Sequence, residues 1–369
     1  MNELIRAILF RRFGVAFIFL LITTASHAYQ QDAALKKNID SIVLAIQHKN
    51  KLPGLSVGVV KGDSILYSKG FGVKSIKSKG TVTENSIFHT ASVSKLFTAQ
   101  AIMHLVRDCK MTLDDKLVSI IPDIKISDIE KNEITIKMLL NHTSGIPDIS
   151  NYHWAKHHQA DNSLNQYITS KTIKLKSKPG TQYAYSNLAY DILGLVIENI
   201  SRQSFEEYVK ANVLLPAGMV VSDFNYYKIP DSLKVAPHSR RGIHKKIEQR
   251  KDYPYTREHS PSSTLNSSAI ELSKWMMSFL KEFDHKDTNL LMTQPSTSIN
   301  GSIGLGFQLY SVRGKKSFGH FGGDKGFRSY LVMTPEEKLG FVVLANCDFN
   351  EDFRQETVGQ LVSLLSSKK

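Results

Sequence analysis

The chain has 369 residues, 41% hydrophobic and 22% charged, with a net charge of +13 at pH 7. That length buries one large core or two moderate ones, and the composition excludes a disordered chain or a fibre. Of its two cysteines, neither Cys109 nor Cys347 lies in a CxxC or metal-ligand pattern, and sequence leaves their pairing open.

The opening residues, "MNELIRAILFRRFGVAFIFLLITTASHA", pass from Arg6, Arg11 and Arg12 into an apolar run and end in Ser26-His27-Ala28. They read as a secretory signal cut after Ala28. An uncleaved anchor is the rival reading, although Phe13 to Ile22 is short for a span. The expectation is a periplasmic or secreted protein with no stable membrane span after cleavage. Residues 1–28 carry three arginines and one glutamate, so their loss lowers the net charge from +13 to +11. A basic exported chain favours anionic surfaces such as cell-wall polymers or lipid headgroups, and nucleic acid is not an expected partner.

From Asp32 to Lys49, apolar residues recur at helical spacing and predict an amphipathic helix. "LSVGVV", a turn at Lys61-Gly62-Asp63 and "SILYSKGFG" predict a β-hairpin. A helix follows around "FHTASVSKLFTAQ" and runs through Leu105. Short helical pieces then come in "MTLDDKLVSIIPD" and "ITIKMLLNHTSGIPD". Two more helices follow in "YSNLAYDILGLVIENIS" and "SFEEYVKANVLLPAG". Arg240, Arg241, Lys245, Lys246, Arg250 and Lys251 crowd a stretch with little apolar periodicity, which reads as a solvated loop.

"NSSAIELSKWMMSFLKEF" is a capped amphipathic helix, and "GLGFQLYSV", "KSFGHFGG", "FRSYLVMTP" and "KLGFVVLAN" are four β-like runs. A last helix covers roughly Phe353 to Leu365. Strands at both ends and helices between them predict an α+β fold, a sheet built from both ends of the chain with a helical insertion. The expected division is residues 29–110 and 286–369 as the sheet domain and 111–285 as a mainly helical domain, with a site in the cleft between them.

Ser92 and Lys95 share a helix face at i, i+3, so the amine can take the proton of the hydroxyl. The same spacing recurs at Ser278 with Lys281 and Ser366 with Lys369, so alone it does not decide between a nucleophile pair and a helix cap beside a solvated lysine. Tyr185-Ser186-Asn187 and His320-Phe321-Gly322-Gly323 follow it in the chain, the first just before a helix and the second between two C-terminal strands. Taken together with "LLNHTSGIPD" and "PGTQYAYSNLAYDILGLVIE", these motifs resemble the serine β-lactamase and penicillin-binding-protein superfamily, in its class C β-lactamase, DD-peptidase and esterase branch. The resemblance covers nearly the whole chain after residue 28. It implies a β-lactamase/transpeptidase-like fold, an antiparallel sheet flanked by the N- and C-terminal helices with an inserted all-helical domain.

It also implies roles. Ser92 is the nucleophile, Lys95 and Tyr185 share the proton transfers, and which of them is the formal base stays open. Asn187 binds the substrate amide and Lys95, while His320, Gly322 and Gly323 line the opposite wall. The backbone N–H groups of Ser92 and Gly323 form the oxyanion hole. The expected activity is hydrolysis of an amide or ester in a D-Ala-type wall peptide, a β-lactam or a small ester, with peptidoglycan among the candidate partners. The alternative is a slow-turnover penicillin-binding sensor or wall-peptide binding protein.

Other chemistries fit less well. Ser144 with His142 in "HTSG" is a rival nucleophile pair, but the loop is bounded by Gly and Pro and no GxSxG elbow occurs. His153, His157, His158 and Asp161 cluster without an HExxH, so a solvated surface is expected and no metal. No Walker loop or GxGxxG appears, so no cofactor is expected. Two departures bear on substrate. His320 stands where lysine would supply a permanent charge for a carboxylate, so that selection is expected to be weak unless Lys325 or Arg328 provides it. Ser262 and Ser263 stand where many relatives carry a glycine pair, and they are expected at the cleft rim.

Overall fold

A computed structural model describes residues 30–156, 159–242, 245–283 and 287–366. The predicted signal segment lies outside the described residues, as do His157 and His158 of the histidine cluster.

Helix α1 covers residues 30–50 and buries Ile39, Val43 and Ile46, one stripe at i, i+4 and i+7. Strands β1 (Gly54–Lys61) and β2 (Ser64–Gly72) form the predicted hairpin, turning at Gly62-Asp63, where Gly62 takes φ +59°. Helix α2 (Ser94–Arg107) follows, then several short helices, then α3 (Asn187–Ser201) and α4 (Ala269–Glu282). Strands β3 (Gln308–Val312), β4 (Lys315–Asp324), β5 (Phe327–Thr334) and β6 (Leu339–Ala345) precede helix α5 (Phe353–Ser366).

The sheet has six antiparallel strands in the order β2-β1-β6-β5-β4-β3. The early hairpin therefore joins the late strands through β1 and β6, with Val57 opposite Val343. Because β1 and β6 are covered on both faces, they read as near-continuous apolar runs. On one face Ile39, Val43, Phe353 and Leu361 of α1 and α5 meet Val57, Val332 and Phe341. On the other face α4 lies directly on the sheet, where a Cβ at Gly58 would sit 2.2 Å from Ser273 Oγ. Beyond α4, α2 and α3 pack in one apolar cluster that includes Phe97, Ile102, Leu193, Val196 and Trp275.

The basic stretch is not the expected open loop. His238–Arg241 and Lys246–Gln249 pair as a small antiparallel hairpin. Ser239 Oγ donates to Asp348 and the His238 ring bonds the Asn346 carbonyl at 2.9 Å, long-range anchors that local charge density does not reveal. Cys109 is exposed and Cys347 buried, and both are free thiols. Among the described residues no helix is long and apolar enough to cross a membrane.

Candidate active site

Ser92 sits in a tight turn, Ala91–Val93, immediately ahead of α2. The turn needs Ala91 at φ +48°, a left-handed conformation that costs a non-glycine residue about 1–3 kcal/mol. Neighbours hold it from both sides. Thr90 N donates to the Leu265 carbonyl at 2.9 Å, and Ser329 Oγ on β5 donates to the Thr90 carbonyl at 2.6 Å. Ser92 thus projects from a clamped backbone.

Lys95, in the first turn of α2, is completely buried. Its Nζ donates to Ser92 Oγ at 3.1 Å, Asn187 Oδ1 at 2.5 Å and the Ser262 carbonyl at 2.8 Å. Burial lowers its pKa from 10.5 to about 7, against the pull of Asp191, Asp148 and Asp324 in the opposite direction. A large fraction is therefore a neutral amine near pH 7, able to accept a proton.

Tyr185 places its hydroxyl 3.0 Å from Ser92 Oγ, on a ring that lies 4.4 Å from the His142 ring, centroid to centroid. A phenol near an ammonium could ionise more readily, but burial outweighs that and pushes the Tyr185 pKa well up. It stands as a protonated phenol. Asn187 opens α3, whose N-terminus Ser186 caps by accepting from Ala189 N at 3.0 Å. The Asn187 backbone N–H and side-chain Nδ2 both donate to Asp148 Oδ1, at 2.8 and 3.0 Å. Asp148 thereby fixes the amide with its oxygen towards Lys95.

The opposite wall is β4. His320 is buried, its ring centroid 6.2 Å from that of Tyr185, and its Nδ1 bonds the Phe321 carbonyl. Burial and the nearby Lys95 lower its pKa to about 3, so the imidazole is neutral. Gly322 packs on the serine turn. A Cβ there would lie 2.3 Å from the Thr90 carbonyl and 2.1 Å from Ser329 Oγ. Gly323 is exposed, and a Cβ would meet nothing nearer than the Arg328 side chain at 3.3 Å.

The structure thus brings Ser92, Lys95, Tyr185 and Asn187 into one hydrogen-bonded group, with His320, Gly322 and Gly323 facing them. Ser144 and His142 form no pair, since Ser144 Oγ accepts from Ile146 N and His142 Nδ1 accepts from Ser186 N. Ser262 and Ser263 are buried rather than at the rim, under Lys95, because Thr98 Oγ1 and Lys95 Nζ tie the Pro261 and Ser262 carbonyls down. Arg328 does not supply the missing charge; it is engaged by Glu351 and the Asp348 carbonyl. Sequence reasoning missed Asp148 and the Ser262 carbonyl. The Pro-Asp turn signal at Pro147-Asp148 marks a loop carboxylate, whereas a backbone oxygen has no side-chain signature.

A six-stranded antiparallel sheet, terminal helices on one face and a Ser-x-x-Lys turn under the other define the β-lactamase/transpeptidase fold. The chain belongs to the Beta-lactamase family, whose model matches residues 39–364, and the motif resemblance holds. It is 28% identical over 349 residues to Protein flp of Staphylococcus aureus (strain NCTC 8325 / PS 47), covering 90% of this chain but 66% of that one, a little under two thirds of its length. Penicillin-binding protein 4* of Bacillus subtilis (strain 168) is 25% identical over 340 residues, 87% of this chain and 74% of that one. The octameric penicillin-binding protein homologue from Pyrococcus abyssi shares the fold at TM-score 0.76 and 24% identity, over 89% of this chain and 77% of that one. A penicillin binding protein from Bacillus halodurans does so at TM-score 0.70 and 22% identity, over 87% and 98%.

Proposed function

We propose that the protein is an exported serine hydrolase that cleaves an amide or ester bond through an acyl-enzyme on Ser92. One observation carries the reading: Ser92 Oγ lies between the Lys95 amine at 3.1 Å and the Tyr185 phenol at 3.0 Å, with the lysine held near neutrality by burial. Export rests on the signal-like residues 1–28.

In this reading Lys95 takes the Ser92 proton as Oγ attacks the substrate carbonyl. The oxyanion is received by the backbone N–H groups of Ser92 and Gly323, and each such donor contributes roughly 3 kcal/mol to lowering the barrier. Tyr185 gives its proton to the leaving group and regains one from Lys95. A water then takes the place of the leaving group, and the same two residues run the sequence in reverse. Neutral His320 supplies no charge for a carboxylate on the leaving side, which favours peptidase or esterase action over efficient β-lactam hydrolysis.

The name of Penicillin-binding protein 4* makes a penicillin the natural first probe. Intact-protein mass spectrometry of wild type and Ser92→Ala, mixed with a fluorescent penicillin and followed in time, tests the assignment. A Ser92-dependent adduct that decays is expected. A persistent adduct makes the protein a stoichiometric binder, and no adduct moves the search to an ester panel. Ester hydrolysis by Ser92→Ala at the wild-type rate would refute the nucleophile.

A further inference from the structure

We infer that the acyl half of the substrate carries a carboxylate, received by Arg250 and Lys325 in a cavity beyond Gly323. The inference rests on the acyl-enzyme reading above, because the direction of the substrate follows from it. A leaving group must lie within reach of the Tyr185 hydroxyl, and His320, 6.2 Å from that ring, marks this end of β4. A carbonyl held between Ser92 and Gly323 therefore sends its acyl half the other way, past Asp324 to Lys325. At the rise of a strand, two residues span about 7 Å.

A cavity of about 200 Å³ opens there, with Asn151, Trp154, Asp252, Arg250 and Lys325 in its walls. The carboxylate next to Lys325 in the chain is already engaged: Asp324 accepts from Trp154 Nε1 at 3.0 Å and from the Lys325 backbone N–H at 2.9 Å, and lies 3.2 Å from His89 Nε2. The exposed Lys325 ammonium has no ion-pair partner among the described residues. Arg250 is tethered through its backbone N–H to the Pro237 carbonyl at 2.8 Å and through Nη1 to Ser239 Oγ at 3.1 Å. Its Nε is buried without a partner and closed to solvent, so only the outer end of the guanidinium meets the cavity.

Among the described residues Asp252 is the one carboxylate in the wall against the Arg250 and Lys325 cations, so the lining is net positive. A guanidinium fork beside an ammonium suits a planar carboxylate. Arg250 also borders a second groove, about 670 Å³, together with Lys77 and Lys251, which extends the positive region away from the serine. At the leaving end stands His320, whose neutral ring offers a carboxylate no charge, and on the acyl side Arg328, opposite Gly323, is already engaged by Glu351.

The test compares 4-nitrophenyl esters with one leaving group and two acyl halves of equal length, hemiadipate and hexanoate, on the full chain. The expected kcat/KM ratio of anionic to neutral ester exceeds one by on the order of tenfold at low salt and shrinks as salt screens the cations. Lys325→Gln and Arg250→Gln bring the ratio towards one, and Lys325→Glu, on an exposed turn that tolerates substitution, inverts it. A wild-type ratio near one, or a ratio unmoved by all three variants, overturns the inference and leaves the acyl-enzyme reading standing. Absence of Ser92-dependent hydrolysis of both esters overturns the acyl-enzyme reading and the inference with it.

Discussion

Lys95 is predicted to weaken the fold it serves, and the effect can be measured through its dependence on pH. Lowering its pKa from 10.5 to about 7 corresponds to about 5 kcal/mol against the buried ammonium. Between those values the unfolded chain holds a proton that the folded chain has released, so stability rises with pH across the window. Below about 7 the full cost is present. Integrated from pH 7 to pH 9, the wild type gains about 2 kcal/mol from this one group. Lys95→Met removes the titration, and it also strands Asn187 Oδ1 and the Ser262 carbonyl, at about 1–3 kcal/mol each. The absolute change at pH 7 is thus a small net of opposed terms. The pH dependence of the difference is not, because the stranded acceptors do not titrate. Urea denaturation of both proteins at pH 7 and pH 9 should show the stability of Lys95→Met relative to wild type falling by about 2 kcal/mol over that interval. A difference that stays constant would mean that Lys95 is not desolvated as described, and the case for it as a neutral base would fall with it.

Activity should follow the same group. kcat/KM of wild type is expected to rise with pH through a midpoint near 7 as Lys95 loses its proton, with no limb from Tyr185 below pH 9, since burial keeps that phenol protonated. The two glycines separate space from chemistry. Gly322→Ala forces a methyl against the Thr90 carbonyl and should lower stability by about 1–3 kcal/mol in a thermal melt. Gly323→Ala meets only the Arg328 side chain and should melt like wild type, while the place proposed for Gly323 beside the substrate predicts a loss of hydrolysis. Asp148→Ala removes the acceptor that orients Asn187 and should cost about 2 kcal/mol of stability and lower kcat more than it raises KM.

What sequence reveals here is what is local. Ser92 with Lys95 and Tyr185 with Asn187 are separated by a turn or less, so spacing and a helix start place each pair, and the order of motifs joins them. The sheet was legible for a similar reason: β1 and β6 are short apolar runs bounded by turns. The support for Lys95 was not legible. Asp148 reaches Asn187 across a loop, and the Ser262 oxygen belongs to the backbone, so neither contact leaves a pattern in residue types. The protonation of Tyr185 was not legible either, because the burial that raises its pKa is a tertiary property. Dense charge hid the His238–Arg241 hairpin for the same reason, since its anchors come from residues near 348.

The strand order governs when reactivity can first arise. β1 and β2 have no sheet to enter until β6 is made, and the serine turn is braced by Ser329 of β5 and roofed by Gly322 of β4. Arg354 of α5 in turn holds the Gly322 and Ser329 carbonyls at 2.8 and 2.9 Å. A chain still lacking its last hundred residues carries Ser92, Lys95 and Tyr185 but has no second wall, and of the two clamps on the serine turn it keeps only the Leu265 side. The nucleophile proposed above is therefore assembled only in the finished fold, and a nascent or partly unwound chain is expected to be inert.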